Sequence, residues 1–187
     1  MTAHFGPSAL ATPANLLTVG RLVLTVPLLA MVVETGASWP AVSLWVALCV
    51  TDGIDGHLAR RHGTTRSGAF LDPLADKVLV LGAMAALVAN DTFWVVPVAI
   101  IAARELLIQG FRSFWGKRGL AVPATQLAKA KTVLQELAVG FGLLPTTATD
   151  ATWVANGLLW IAVVLTVVTG VQYVSAGSRA ATTAGSL

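Results

Sequence analysis

Four aspartates, Asp52, Asp55, Asp72 and Asp76, lie close together in a chain that is otherwise strongly apolar. The first two are three residues apart and the last two are four apart, so each pair projects from one face of a helix. A short basic connection between two antiparallel helices would bring all four carboxylates together. We therefore expect one acidic site at the end of a helix pair.

A hard divalent cation is the simplest partner for such a site. Carboxylate oxygens with no His or Cys ligand set nearby are the donors that Mg²⁺ or Mn²⁺ prefers. Two ions held by four acids would suit in-line displacement at phosphorus. The alternative is a structural salt-bridge cluster, for which the neighbouring cations are Arg60, Arg61, Arg66 and Lys77.

The composition is typical of a membrane protein. Of the 187 residues, 56% are hydrophobic and 11% are charged, against roughly 25% charged residues in soluble domains. Six apolar stretches are long enough to cross a bilayer, namely 14–34, 39–61, 67–89, 93–114, 125–145 and 152–175. We predict an all-α integral membrane protein with one six-helix domain over residues 14–176, between flexible tails at 1–13 and 177–187.

The basic residues predict the orientation of these spans. Lys and Arg cluster around the second and fourth connections and after the last span. At the first, third and fifth connections, the only charged residues are acidic: Glu34, Asp91 and Asp150. Because basic residues are retained on the cytoplasmic side, both termini and the aspartates are expected there. The net charge of +3 fits this topology and an attraction to anionic lipid, and nothing else supports nucleic-acid binding.

The aspartate segment resembles the signature of a known enzyme family, the CDP-alcohol phosphatidyltransferases. The matching pattern is Asp52-x2-Asp55-Gly56-x2-Ala59-Arg60 followed by Gly68-x3-Asp72-x3-Asp76. The resemblance implies an integral membrane protein with a six-helix core, usually a homodimer. It also implies transfer of a phosphatidyl or similar group from a CDP-linked donor to an alcohol, with release of CMP.

The resemblance also implies roles for individual residues. Asp52, Asp55 and Asp72 would ligate two divalent ions, with Asp76 completing the set and acting as general base. The residues expected to meet the CDP moiety of the donor are Gly56, Ala59, Arg60 and Gly68. Seven residues separate Arg60 from Gly68 where eight are expected in close relatives, so a donor contact from this loop is in doubt.

A second basic segment, residues 103–132, bears on the acceptor alcohol. We expect a pocket for an acceptor phosphate, because guanidinium groups fork onto phosphate oxygens; its residues would be Arg104, Arg112, Lys129 and Lys131. The segment is similar to the phosphatidylglycerolphosphate synthases of this family, which implies CDP-diacylglycerol as donor and sn-glycerol 3-phosphate as acceptor. The expected location is the bacterial plasma membrane, with the active site facing the cytoplasm.

Other functions remain open at this stage. Within the family, the acceptor could be phosphatidylglycerol, as in a cardiolipin synthase, or an inositol phosphate. A divalent-cation or proton transporter would also carry intramembrane acids, and Glu136 in the fifth span is the residue that it would need most. The acids cluster at one end of the spans and are not distributed across the bilayer, which favours an enzyme over a transporter.

Overall fold

The structure, a computed structural model, describes residues 13–62, 68–116 and 126–184, and these ranges are helical throughout apart from short turns. The helices are α1 (Pro13–Thr35), α2 (Trp39–His62), α3 (Gly68–Ala89), α4 (Val95–Gly116), α5 (Gln126–Leu143), α6 (Pro145–Asp150) and α7 (Thr152–Ala184). No strand occurs in these ranges. The prediction of an all-α protein is therefore confirmed.

The long helices follow the apolar stretches closely. α1 to α5 begin and end within two residues of the predicted spans, and α6 is a short additional helix of six residues in the fifth connection. The last helix differs: α7 continues to Ala184, into the segment assigned to a flexible tail. Residues 177–184 contain no proline and three alanines, and alanine is the strongest helix former, so the single glycine, Gly177, does not end the helix.

One apolar core runs through the bundle. α1 packs mainly on α3 and α2, and α7 packs mainly on α5 and α4, while α3 and α2 also touch α5. Fully or almost fully buried side chains come from six helices, α1 to α5 and α7: Leu28, Trp45, Met84, Ile101, Leu143 and Leu159. The polar site described below lies at the end of this core where α2 ends and α3 begins.

Helix α1 turns its polar residues inward. Its buried face carries Asn15, Thr18, Arg21 and Thr25. Its outer face is apolar, with Val23 exposed to 63% and Val26 to 68%. A helix on the surface of a soluble protein has the opposite arrangement, whereas a polar face turned toward the bundle is expected for a helix that contacts lipid.

Two helical segments are long and apolar enough to cross a membrane. They are Asn15–Thr35, with a mean hydropathy of 2.2, and Thr152–Tyr173, with 2.1. A shorter apolar segment spans Trp39–Ile54. Length and composition thus identify two candidate spans directly among the described residues.

Two asparagines form hydrogen bonds between elements at the end of the bundle away from the aspartates. The Asn90 amide donates a hydrogen bond of 2.7 Å to the carbonyl of Val32 at the end of α1. Asn156 on α7 accepts from the backbone N–H of Trp94 at 3.0 Å and donates to the carbonyl of Thr92 at 2.9 Å. These contacts fix how α1 and α7 meet the α3–α4 turn.

Candidate active site

Three carboxylates from three helices lie close together. Asp52 on α2, Asp76 on α3 and Glu136 on α5 each offer an oxygen, and these oxygens lie within 4.8 Å of one another. All three residues are half-buried. The structure thus brings together two of the predicted aspartates, and we call these three residues the acidic group.

The other two aspartates lie differently. The Asp72 carboxylate accepts a hydrogen bond of 2.6 Å from the Thr18 hydroxyl on α1, and it is not among the described members of the acidic group. Asp55 lies in α2, but its side chain is outside the part that the structure describes, as are the side chains of Ala59 and Arg60. Gly56 lies in the same stretch of α2, and Gly68 begins α3.

Asp52 is held from α1. Its carboxylate forms an ion pair with Arg21, whose side chain is fully buried while that of Asp52 is 40% exposed. Lys77, one of the cations weighed for a salt-bridge cluster, pairs with Glu105 on α4 instead. Asp76 and Glu136 have no hydrogen bond or ion pair with any other described residue, so side-chain ion pairs account for only one of the three acids.

A second charged group surrounds Glu105. Its carboxylate accepts hydrogen bonds from Lys77 at 2.7 Å, from Arg104 at 3.0 Å and from Lys131, which is buried. We call Lys77, Arg104, Glu105 and Lys131 the basic group. Three cations share one anion, so the group has an excess of positive charge that a bound anion could balance.

Arg104 is largely engaged inside the protein. Its Nε donates to the carbonyl of Thr166 at 3.0 Å, and a terminal nitrogen donates to the hydroxyl of Thr169 at 2.8 Å. The other terminal nitrogen donates to Glu105, so each of the three guanidinium nitrogens uses one N–H. A guanidinium carries five N–H donors, so one remains on each terminal nitrogen. The helix α7 therefore orients Arg104 without exhausting its capacity to bind a ligand.

The acidic and basic groups line the same cavity, which has a volume of about 500 Å³. Its charged lining consists of Asp52, Asp76, Lys77, Arg104, Glu105, Lys129, Lys131 and Glu136. Lys129 is exposed on α5, and Arg112, the fourth residue predicted for the acceptor pocket, has a side chain outside the described part. Three of the four predicted basic residues thus face the predicted acids across one space.

The donor set of the acidic group fits a hard divalent cation. It consists of carboxylate oxygens from three helices, and no His among the described residues takes part. Such a set favours Mg²⁺ or Mn²⁺ over a soft metal. The basic group on the opposite side of the cavity can hold an anion. The cavity can therefore receive a phosphate-containing substrate between a bound cation and the basic residues.

Two apolar grooves adjoin the cavity. One, of about 390 Å³ between α2 and α5, shares Cys49, Val133 and Glu136 with it. The other, of about 660 Å³ between α4 and α7, shares Arg104 and Ile108. Both grooves are lined almost entirely by apolar side chains, so a ligand with a charged head and hydrocarbon tails has room for both parts.

Sequence reasoning missed Glu136 as a site residue, although a signal was present. Lys129, Thr132, Val133 and Glu136 all line the cavity, and their spacing places them on one face of α5. Since Lys129 was a predicted ligand, the residue seven positions later was a candidate for the same cavity. The roles of Arg21 and Glu105 depend on contacts between helices, which spacing along one helix cannot show.

Comparisons with known proteins identify a family. A sequence model described as CDP-alcohol phosphatidyltransferase matches residues 11–168. A CDP-diacylglycerol–glycerol-3-phosphate 3-phosphatidyltransferase from Rickettsia felis is 34% identical over 168 residues, covering 87% of this chain and 93% of that protein. Relatives with the same name come from Shigella flexneri, at 38% identity with 87% and 92% covered, and from Haemophilus influenzae, at 41% with 66% and 69% covered.

Proposed function

Since the chain belongs to the CDP-alcohol phosphatidyltransferase family, we propose that it transfers a phosphatidyl group from CDP-diacylglycerol to sn-glycerol 3-phosphate. The products are phosphatidylglycerol phosphate and CMP. The names of relatives that are similar along most of the chain support this donor and this acceptor. The enzyme is thus a transferase of substituted phosphate groups that serves phospholipid biosynthesis.

The observation that carries the proposal is the placement of acids and bases around one cavity. Asp52 and Asp76 lie on one side, and Arg104 and Lys131 lie on the other. A transfer between two phosphate-containing substrates needs a cation at the pyrophosphate and a separate anion pocket for the acceptor. The cavity offers both within about 500 Å³.

The acidic side would hold the divalent ions. Asp52 and Asp76, with Asp55 and Asp72 as the family signature implies, are the proposed ligands of two Mg²⁺ or Mn²⁺ ions. When bound, such ions neutralise charge on a pyrophosphate and on the departing phosphate. The buried Arg21 holds the Asp52 carboxylate in place from α1.

Asp76 is the proposed general base. Its carboxylate lies in the cavity and has no hydrogen bond or ion pair with another described residue, so it can accept the proton of the acceptor hydroxyl. The hydroxyl oxygen then bonds to the phosphorus that carries diacylglycerol, and the bond from that phosphorus to the bridging oxygen of CMP breaks. The donor contacts proposed for Gly56, Ala59, Arg60 and Gly68 would fix the cytidine end.

The basic side would hold the phosphate of the acceptor. Lys129 and Lys131 project from α5 into the cavity, and Arg104 faces them from α4 with two N–H donors still available. Arg112 is proposed to add a further contact. This excess of positive charge favours an acceptor that carries a phosphate over a neutral alcohol.

The membrane placement is also proposed. Six spans, α1 to α5 and α7, would cross the bacterial plasma membrane with both termini and the cavity on the cytoplasmic side, where the basic connections lie. The inward polar face of α1 and its exposed apolar face support lipid contact. The two apolar grooves give the acyl chains of the donor a place beside the cavity, and the family resemblance favours a homodimer.

Release of CMP tests the proposal. The purified protein is supplied with CDP-diacylglycerol and Mg²⁺ or Mn²⁺, and CMP is measured with sn-glycerol 3-phosphate, an inositol phosphate or phosphatidylglycerol as acceptor. We expect release with sn-glycerol 3-phosphate, loss of about a hundredfold or more in Asp76→Asn, and no activity when EDTA removes the ions. Glu34→Gln, an exposed acid at the far end of α1, is the matched control.

The other outcomes separate the alternatives. Release only with another acceptor would keep the family chemistry and overturn the assignment of the basic group. If folded protein releases no CMP with any acceptor, the result would contradict the proposed enzymatic activity and favour ion transport.

A further inference from the structure

We propose that Glu136 is an additional ligand of the divalent-ion site, contributed by α5 beside the aspartates of α2 and α3. The inference rests on the proposed function, because that function supplies the ions. It adds a residue outside the aspartate signature and from a helix that the signature does not include. It also gives a role to an ionisable side chain in the apolar part of α5.

Geometry is the first support. One carboxylate oxygen of Glu136 lies within 4.8 Å of an oxygen of Asp52 and of Asp76. Ligand oxygens around one Mg²⁺ lie about 3 to 4 Å apart, because each is about 2.0–2.1 Å from the ion. Small side-chain adjustments therefore suffice for the three carboxylates to share an ion.

The balance of charge is the second support. Arg21 compensates Asp52, but Asp76 and Glu136 have no ion pair or hydrogen bond with another described residue. Arg21 also lies near both of them but is paired with Asp52, and Lys77 and Lys131 are engaged by Glu105. Two neighbouring half-buried carboxylates repel each other and lose hydration, so a cation between them is the arrangement that stabilises both.

The position of Glu136 along α5 is the third support. It follows Lys129 and Thr132 on the same face, and all three line the charged cavity. Glu136 also lines the apolar groove between α2 and α5, together with Cys49. The residue thus lies where the charged cavity meets the groove, which is where the head of a lipid-linked pyrophosphate would lie against an ion.

Binding of Mn²⁺ alone tests the inference without any turnover. Free Mn²⁺ is titrated by electron paramagnetic resonance with the purified full-length protein and with E136Q, D76N and E34Q. We expect E136Q to weaken Mn²⁺ binding by about tenfold or more, the size of effect seen when a group supporting a metal site is removed. D76N should weaken it as well, and E34Q should bind as wild type does.

Thermal unfolding gives a second readout that separates a ligand from a packing residue. In EDTA, the unfolding midpoint of E136Q should equal or exceed that of wild type, because one of three mutually repelling carboxylates is gone. The rise in midpoint caused by Mn²⁺ should shrink in E136Q, since weaker binding stabilises the fold less. A lower midpoint in EDTA with an unchanged rise would overturn the inference in favour of packing.

The outcomes distinguish this inference from the proposed function. Wild-type affinity in E136Q with weakened affinity in D76N would overturn the role of Glu136 and leave the aspartate site standing. Wild-type affinity in both would contradict the aspartate site too. If E136Q does not fold, E136D is measured instead: its shorter side chain should bind Mn²⁺ more weakly, and wild-type affinity would overturn the inference.

Discussion

At the scale of single residues, charges in this protein are arranged in two opposed groups. Arg21 orients Asp52, while Glu105 gathers Lys77, Arg104 and Lys131 within hydrogen-bond distance. Long cationic side chains lose considerable conformational freedom when they are ordered, so a shared carboxylate reduces the cost of presenting them together. Glu105 is therefore expected to act as a positioning residue for the acceptor pocket.

Replacement of Glu105 by Gln tests this role. Without the negative charge, the three cations repel one another and lose the position in which they meet a phosphate. We expect the KM for sn-glycerol 3-phosphate to rise about tenfold, equivalent to about 1.4 kcal/mol, with little change in kcat or in the KM for CDP-diacylglycerol. Steady-state kinetics with each substrate varied in turn measure kcat and the two KM values separately.

The conservative variant E105D is the control, because it keeps the charge at a shorter reach. Its KM for sn-glycerol 3-phosphate should lie between those of wild type and E105Q. An unchanged or lower KM in E105Q would show that the cations bind the acceptor without help from the carboxylate.

At the scale of helices, the position of each site residue depends on packing contacts that its helix makes elsewhere in the bundle. α7 contributes Thr166 and Thr169, which hold Arg104, and the start of α7 is fastened to the α3–α4 turn by Asn156. The α5 helix contributes both lysines and Glu136 to the lining of the cavity. The site is thus assembled from helices whose relative positions are set partly at the far end of the bundle.

Asn156→Ala is predicted to lower stability without altering the chemistry. The backbone N–H of Trp94 and the carbonyl of Thr92 would lose their partner, and an unsatisfied buried polar group costs about 1–3 kcal/mol. The unfolding midpoint in detergent should fall, while kcat at low temperature stays near the wild-type value. The neighbouring Gly157→Ala, at an exposed position where an added Cβ meets nothing within 4 Å, should not lower the midpoint.

At the scale of the whole molecule, the fold and part of the site could be predicted from the sequence. Hydropathy located the helices within a few residues because a bilayer-spanning helix has a fixed length. The aspartate signature also identified two residues, Asp52 and Asp76, that the structure brings together. The partners of Arg21 and Glu105 could not be predicted, since spacing fixes the face of a residue on its own helix but not the helix that packs there.

The proposed orientation of the whole molecule can be tested with single cysteines, because Cys49 is the only native cysteine. In a Cys49→Ala background, D150C in the fifth connection should react with an impermeant maleimide in intact cells. S175C, near the cytoplasmic end of α7, should react only after permeabilisation. Labelling of S175C but not D150C in intact cells would contradict the orientation.

One cavity is proposed to join a CDP-linked phosphatidyl donor to sn-glycerol 3-phosphate. The most direct measurement supplies radiolabelled sn-glycerol 3-phosphate, CDP-diacylglycerol and Mg²⁺ to the purified protein, and quantifies both the label in extractable lipid and the CMP released. We predict one CMP for each labelled lipid formed, with both products lost in Asp76→Asn. Release of CMP without label entering lipid would show hydrolysis or another acceptor and would contradict the account.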